Sequence, residues 1–214
     1  MNGYDIIVAG AGISGATAAA MAGKMGKNVL LLDRNSADEP GKKTVWGWVC
    51  GDAVARSHIS YVQKNLGNTF SDSSLGLKVD GVMALSPDLG YKLPFEGEGY
   101  SLERPLFAAE LYNLAMKNGA EFKGRFNVEG PIIEDNKVTG VYGKNEKGEE
   151  EKIHGEVVID ALGIASLLRR KLPENPYIDR EIDYEDLELT GRFIYKTDGS
   201  FKDLKYYDSK NALI

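Results

Sequence analysis

The chain has a single cysteine, Cys50, among 214 residues. An internal disulfide is therefore excluded, and lone-thiol usage suits a reducing, cytoplasmic setting. No apolar run approaches the ~20 residues that a membrane-crossing helix needs. There is no surplus of positive charge: the net charge is −6, which argues against nucleic acid as a partner. Only two histidines are present, His58 and His154. Neither has the neighbours that a metal or general-base site requires, so no metal is expected. Internal repeats and low-complexity segments are absent. The first apolar run begins almost at Met1, which leaves no space for a secretory leader. What remains is an ordinary balance of apolar and charged residues, long enough for one good core and a small second lobe.

The chain is organised around the stretch Tyr4 to Asp33. Ile6 to Ala9 is a short apolar run of the kind that makes a buried strand. Gly10, Gly12 and Gly15 follow in G-x-G-x-x-G spacing. The spacing predicts a helix over Ala16 to Met25, stopped at Gly26, and a second buried strand over Val29 to Leu32 that ends in Asp33. Each part suits a dinucleotide. Gly10 permits a tight turn, Gly12 lets a pyrophosphate approach the backbone, and Gly15 lets the helix lie close to the sheet. The helix N-terminus offers N–H groups and a positive dipole end to phosphate. Asp33, about 20 residues on, is placed to accept from a ribose hydroxyl. This pattern alone does not separate NAD from FAD. Ala19 and the start of the motif near the N-terminus lean toward FAD, and the stretch resembles the fingerprint of glutathione-reductase-like flavoproteins. A 2′-phosphate beside Asp33 would bring two negative charges together.

Further along, Pro40 and Gly41 mark a loop whose second half holds Trp46, Trp48, Cys50, Gly51 and Asp52. Such a loop is a candidate active-site segment. Asp52 is expected to cap a helix from Ala53 to Leu66, stopped by Gly67. Residues 75–103 alternate and turn, giving short strands at Leu77–Val79, Val82–Leu85, Tyr91–Leu93 and Tyr100–Leu102. Arg104 opens a helix that runs to Asn118, with Leu106, Leu111, Leu114 and Ala115 as its apolar stripe. A parallel strand follows at Ala120–Lys123, then a meander from Asn127 to Ile153 whose acidic tip, Glu149–Glu151, is a solvated turn. His154 is expected to be exposed and His58 to lie on a helix surface or in the core. Val157 to Ile159 runs into Asp160 and Gly163, where strand ends line the ligand crevice of an open α/β sheet. A helix from Ser166 to Lys171 comes next. After a polar connection from Pro173 to Asp186, further strands are expected at Leu189–Tyr195 and Phe201–Tyr207.

Four stretches in order, GAGISG, VCGDAV, LERPLF and VVIDALG, resemble the geranylgeranyl reductase family of FAD enzymes, its archaeal members above all. The resemblance implies a glutathione-reductase-type, Rossmann-like α/β FAD-binding domain with a β-meander and the start of an antiparallel substrate lobe. The corresponding domain limits are 1–172, with an inserted β segment over about 68–103, and 173–214. It implies that Gly10, Gly12, Ile13, Ser14 and Gly15 hold the FAD pyrophosphate, and that Asp33 and Arg34 meet the adenosine. Arg104, Asp160 and Gly163 would contact the cofactor, and the backbone of Val128 the adenine. Cys50, Gly51 and Asp52 would lie near the isoalloxazine ring, with Cys50 a candidate proton donor. The implied reaction is reduction of C=C bonds in isoprenoid chains of membrane ether-lipid precursors. The electron donor, NAD(P)H or ferredoxin, stays open. The implied setting is the cytoplasm, with peripheral membrane contact. Family members are about twice as long, and their second Gly-Asp motif has no counterpart here. The chain therefore reads as an N-terminal half, with a C-terminal half chain as an expected partner. A flavin monooxygenase or dehydrogenase of the p-hydroxybenzoate-hydroxylase-like group, and a non-catalytic FAD-binding fragment, remain open on the same residues.

Overall fold

The computed structural model describes residues 3–36, 51–187, 198–200 and 210–213. The chain forms two compact units. One comprises Met1–Thr44 and Ala108–Glu188, the other Val45–Phe107 and Leu189–Ile214. The divisions between these units fall at 44/45, 107/108 and 188/189.

The first unit begins with β1 (Tyr4–Ala9), α1 (Ile13–Lys24) and β2 (Val29–Leu32). All four residues of β2 are buried, as they must be in a parallel strand covered on both faces. The inward face of α1 is small: Gly15, Ala16, Ala19, Ala20, Ala22 and Gly23 are buried, so the helix can lie close to its neighbours. Asn118 Nδ2 donates to the Ala20 carbonyl at 3.0 Å. A Cβ at Gly23 would meet the Asn118 carbonyl at 2.5 Å.

The chain returns to this unit through α4 (Arg104–Lys117), then forms β6 (Glu121–Lys123), β7 (Asn127–Glu134), β8 (Lys137–Lys144), β9 (Glu150–Asp160) and α5 (Leu167–Arg170). The six-stranded order is β6-β2-β1-β9-β8-β7. Strands β6, β2, β1 and β9 are parallel, whereas β7-β8-β9 is an antiparallel meander. The long strand β9 joins the two parts. Its first half pairs with β8, from Lys144↔Glu150 to Gly140↔His154. Its second half pairs with β1, from Tyr4↔Gly155 to Ala9↔Asp160. Ile7, Leu30, Leu32, Phe126, Val141 and Ile153 form the central apolar cluster.

The helix α4 buries Phe107, Ala108, Leu111, Leu114 and Ala115, whereas Leu106 is half-exposed. The expected stripe is therefore corrected at its first turn by one position. The acidic tip is only partly solvated, since Glu151 pairs with Lys123. His154 is exposed, as expected, and His58 lies exposed on a helix.

The second unit holds β3 (Ala53–Ala55), α2 (Arg56–Leu66), α3 (Asp72–Leu75), β4 (Leu77–Leu85), β5 (Lys92–Ser101) and β10 (Asn211–Leu213), in the order β10-β4-β5-β3. The four short strands expected between 77 and 102 are two long ones, with a register shift between Val79 and Gly81. The expected strands at Leu189–Tyr195 and Phe201–Tyr207 lie outside the described residues. Among the described residues no helix is long and apolar enough to cross a membrane, and no cluster of His, Cys, Asp and Glu could hold a metal ion.

Candidate functional site

The turn between β1 and α1 is shaped by contacts that only glycine permits. Gly10 has φ +102°, and a Cβ there would lie 2.4 Å from the Ala161 carbonyl oxygen. A Cβ at Gly15 would lie 1.8 Å from the Gly10 carbonyl oxygen. Both glycines are demanded by the chain's own backbone. Gly12 is different. Its φ of −68° suits any residue, and a Cβ there would meet nothing of the protein within 4 Å. The space in front of Gly12 is open, as a cradle for a bound group would be.

Gly12 is also the N-cap of α1. No side chain caps this helix end, and no acid lies in its first turn. The first N–H groups of a helix have no partners within the helix. Those of Ile13, Ser14 and Gly15, with the positive end of the helix dipole, form a natural seat for a diphosphate. Ser14 is exposed and Ile13 partly so, so the opening turn is accessible.

Asp33 faces this loop. Its Oδ2 accepts from the Ala11 N–H at 2.7 Å, and its Oδ1 from the Asn35 N–H at 2.8 Å. Its backbone is fixed as well: the Asp33 N–H donates to the Lys123 carbonyl at 3.2 Å, and its carbonyl accepts from Phe126 at 2.9 Å. The carboxylate therefore ties β2 to the glycine loop through both of its oxygens. Asp33→Ala is expected to weaken binding of an adenosine ribose by about 1.5–3 kcal/mol and to lower the thermal midpoint, because Ala11 loses its acceptor. Fluorescence titration of flavin and a melting curve on the same variant check both effects. An unchanged dissociation constant would mean that the acid serves only the loop. Arg34, beside it, is exposed.

The end of β9 completes this edge of the first unit. Asp160 accepts from the Leu162 N–H at 3.1 Å and from the Ser166 hydroxyl. Ser166 is buried and caps α5 by accepting from the Arg169 N–H at 3.2 Å. Gly163 has φ +78° and its α-carbon faces open space. The Ala161 N–H donates to the Ala9 carbonyl at 2.8 Å, which brings the Asp160 turn beside the glycine loop. Val128 is buried in the core cluster, and its residue pair on β8 is Gly143.

Two residues missed by sequence reasoning matter here. Ala161 defines the wall against which Gly10 turns, and Ser166 locks the Asp160 carboxylate. Ser166 could have been found from its place as a serine just ahead of the apolar Leu167-Leu168, a helix-cap pattern.

In the second unit, the structure brings together Asp52 and Arg104. Arg104 Nε donates to Asp52 Oδ1 at 2.8 Å, with side chains 15% and 6% exposed. The Asp52 carbonyl accepts from the Leu102 N–H at 2.9 Å. Asp52 adopts a left-handed backbone, φ 59°, a region that Asp enters more readily than most non-glycine residues. The expectation that Asp52 caps a helix is thereby corrected. Residues Ala53–Ala55 are a strand paired with β5, α2 starts at Arg56, and its N-cap is Ala55 without a side-chain bond. The carboxylate is turned to the arginine instead. Gly51 is exposed. Cys50, Trp46 and Trp48 lie outside the described residues.

The residues Asp5 to Lys171 match the model of the family described as FAD dependent oxidoreductase. A digeranylgeranylglycerophospholipid reductase of Sulfolobus acidocaldarius is 29% identical over 95% of this chain and 43% of its own length. Another, from Methanocella arvoryzae, is 30% identical over 89% of this chain and 46% of its own length. Among solved structures, a geranylgeranyl bacteriochlorophyll reductase-like protein of Thermoplasma acidophilum superposes with a TM-score of 0.66. It has 26% identity over 78% of this chain and 41% of that one. The chain thus spans about half the length of the curated relatives it matches.

Proposed function

The chain belongs to the FAD dependent oxidoreductase family, and from that premise we propose that it is the flavin-binding portion of a reductase acting on C=C bonds of geranylgeranyl chains in membrane ether-lipid precursors. The observation that carries this reading is the match to digeranylgeranylglycerophospholipid reductases over nearly the whole chain. The residues fit the cofactor: the open space before Gly12, the uncapped helix end and the partly exposed Asp33 beside the loop suit a dinucleotide. When bound, FAD supplies the hydride chemistry, while the protein positions it and keeps water away.

The chain's own residues have distinct parts in this reading. The glycine loop and the first turn of α1 hold the pyrophosphate. Asp33 orients the adenosine ribose. Asp160 and Gly163 border the cofactor from the neighbouring strand end. The buried pair of Asp52 and Arg104 fixes the backbone that follows Cys50 and Gly51. Cys50 supplies the proton that completes saturation of the alkene in this reading. The electron donor in this reading is NAD(P)H or ferredoxin, and the enzyme works on the cytoplasmic face of a membrane, which it touches peripherally because its substrate is a lipid. The portion of the relatives' length that this chain does not span is required for turnover.

The test is anaerobic reduction of digeranylgeranylglycerophospholipid by the chain together with that remaining portion, followed by mass spectrometry for added hydrogen. Oxygen-dependent hydroxylation in place of saturation would overturn the reading in favour of a monooxygenase. Within an active assembly, Cys50→Ala is expected to lower turnover by ~10²–10⁴-fold with bound flavin retained, the range for a positioned general acid. Near-normal turnover with a lowered thermal midpoint would reduce Cys50 to packing.

A further inference from the structure

Two glycines of the loop after β1 are moulded on one residue far along the chain. A Cβ on Gly15 would come within 3.1 Å of the Ala161 methyl. One on Gly10 would meet the Ala161 carbonyl and, at 3.2 Å, the Leu162 nitrogen. This wall is itself held from behind. The Ala161 N–H donates to the Ala9 carbonyl at 2.8 Å. Leu162 packs against the central apolar cluster, and Leu168 is buried in it. Between these two leucines the chain turns through Gly163, at φ +78°. The Ser166 N–H closes that turn on the Gly163 carbonyl at 3.1 Å.

Ser166 joins these pieces. The residue is 2% exposed. Its hydroxyl donates to Asp160 Oδ2, and the same oxygen accepts from the Arg169 N–H at 3.2 Å. The other carboxylate oxygen, Asp160 Oδ1, accepts from the Leu162 N–H at 3.1 Å. The carboxylate thus bridges the two ends of the turn, Leu162 on one side and Ser166 on the other. Asp160 is exposed, and an exposed carboxylate is already satisfied by water. Both bonds therefore serve the turn rather than the acid. A hydrogen bond to an ionised group is roughly twice as strong as one between neutral groups.

We propose that Ser166 is a positioning residue for the cofactor. Through Asp160 it fixes the wall at Ala161 and Leu162, and the wall fixes Gly10 and Gly15. The loop so held presents the first N–H groups of α1 to a diphosphate in one arrangement. Ser166 acts through these residues and does not touch the cofactor. A seat ordered in advance binds more tightly, because no ordering cost falls on the binding step. The inference rests on the reading of the glycine loop as the diphosphate seat of FAD. A serine that serves only as a helix cap would act differently. Its loss would free the Arg169 N–H and loosen α5, and nothing before it in the chain would change.

Ser166→Ala is compared with the parent chain by FAD titration, melting and hydrogen exchange. FAD affinity is expected to fall by roughly tenfold, the scale of one hydrogen bond to a charged group. Exchange is expected to quicken at the amides of Gly10, Ala161 and Leu162 as well as at Arg169. Lys171→Met is the control. It removes another tether of α5, the bond from Lys171 Nζ to the Tyr142 hydroxyl at 3.0 Å. It should lower the melting point and leave FAD affinity and Gly10 exchange at the parent's level. If Ser166→Ala does not fold, Asp160→Asn takes its place, since its one acceptor oxygen faces two donors. The same loss of affinity and the same quickened amides are expected. Faster exchange confined to Arg169, with FAD affinity unchanged, would reduce Ser166 to a helix cap and overturn the proposal. An equal loss of affinity in Lys171→Met would also overturn it. No uptake of FAD by the parent, alone or joined to the remaining portion of the relatives' length, would instead overturn the reading of the loop as a diphosphate seat, and the proposal with it.

Discussion

Arg104→Ala is expected to destabilise the second unit by about 3–5 kcal/mol. Removing one partner of a buried ion pair leaves the other charge in a poorly solvated place with less to balance it, and that is the main cost. Here the charge left behind is Asp52, whose side chain is 6% exposed. Arg104→Lys is expected to recover only part of the loss, because the bond comes from Nε and an ammonium cannot reproduce a guanidinium's fixed geometry. Replacing both residues by apolar ones of similar volume should cost less than the single change. A denaturant series on the single and double variants separates these outcomes. A loss below ~1 kcal/mol for Arg104→Ala would show the pair to be an ordinary surface bridge.

The second large effect distinguishes two glycines three residues apart. Gly15→Ala places a methyl 1.8 Å from a backbone oxygen, so the loop or the helix must move. A loss of at least the ~1–3 kcal/mol of core overpacking is expected, and more where no flexible side chain can yield. Gly12→Val places its side chain in open space at an unstrained φ. It should leave the thermal midpoint near the parent's while weakening FAD binding by roughly 10²-fold, about 3 kcal/mol. Melting and flavin titration on both variants are sufficient. Parent-level flavin affinity in Gly12→Val would mean that no phosphate passes over this residue.

The parts of the molecule legible in the sequence are those whose causes are local. Strand β2 was readable to the residue because an apolar run between Asn28 and Asp33 has no other way to be buried. The β1-to-α1 turn was readable because glycine spacing records backbone geometry directly. The helix stop at Gly67 falls where expected, in a left-handed conformation. Asp52 was misread because its partner, Arg104, is 52 residues away. An acid ahead of a helical pattern looks like a cap when its distant partner is unknown. The long strands β4 and β5 looked like four fragments because glycines and prolines break the alternation, whereas cross-strand pairing carries each chain through them. On α4, the expected stripe starts at Leu106, but Phe107, whose ring lies 4.6 Å from that of Phe70, takes the buried position because its partner ring comes from a distant part of the sequence. Within the site, the glycine loop and Asp33 were visible, but the clamp from Ser166 and the wall at Ala161 depend on the meeting of β1 with β9.

That meeting has a consequence for how the protein is made. Gly10 is shaped by Ala161, and β1 finds its second neighbour only at Gly155 to Asp160. Pairings so far apart in sequence are slow to form, because a long loop must close before any contact rewards it. On a ribosome adding ~5–20 residues per second, roughly 8–30 seconds pass between synthesis of β1 and of its partner. During that interval β1 has β2 on one side and an open edge on the other, and the segment 45–107 is produced in between, with a compact unit of its own to enter. The nascent chain thus spends its most aggregation-prone period holding an apolar strand, Ile6 to Ala9, without its second neighbour. The turn between β1 and α1 is among the last features to take shape, although its glycines are among the first residues to emerge.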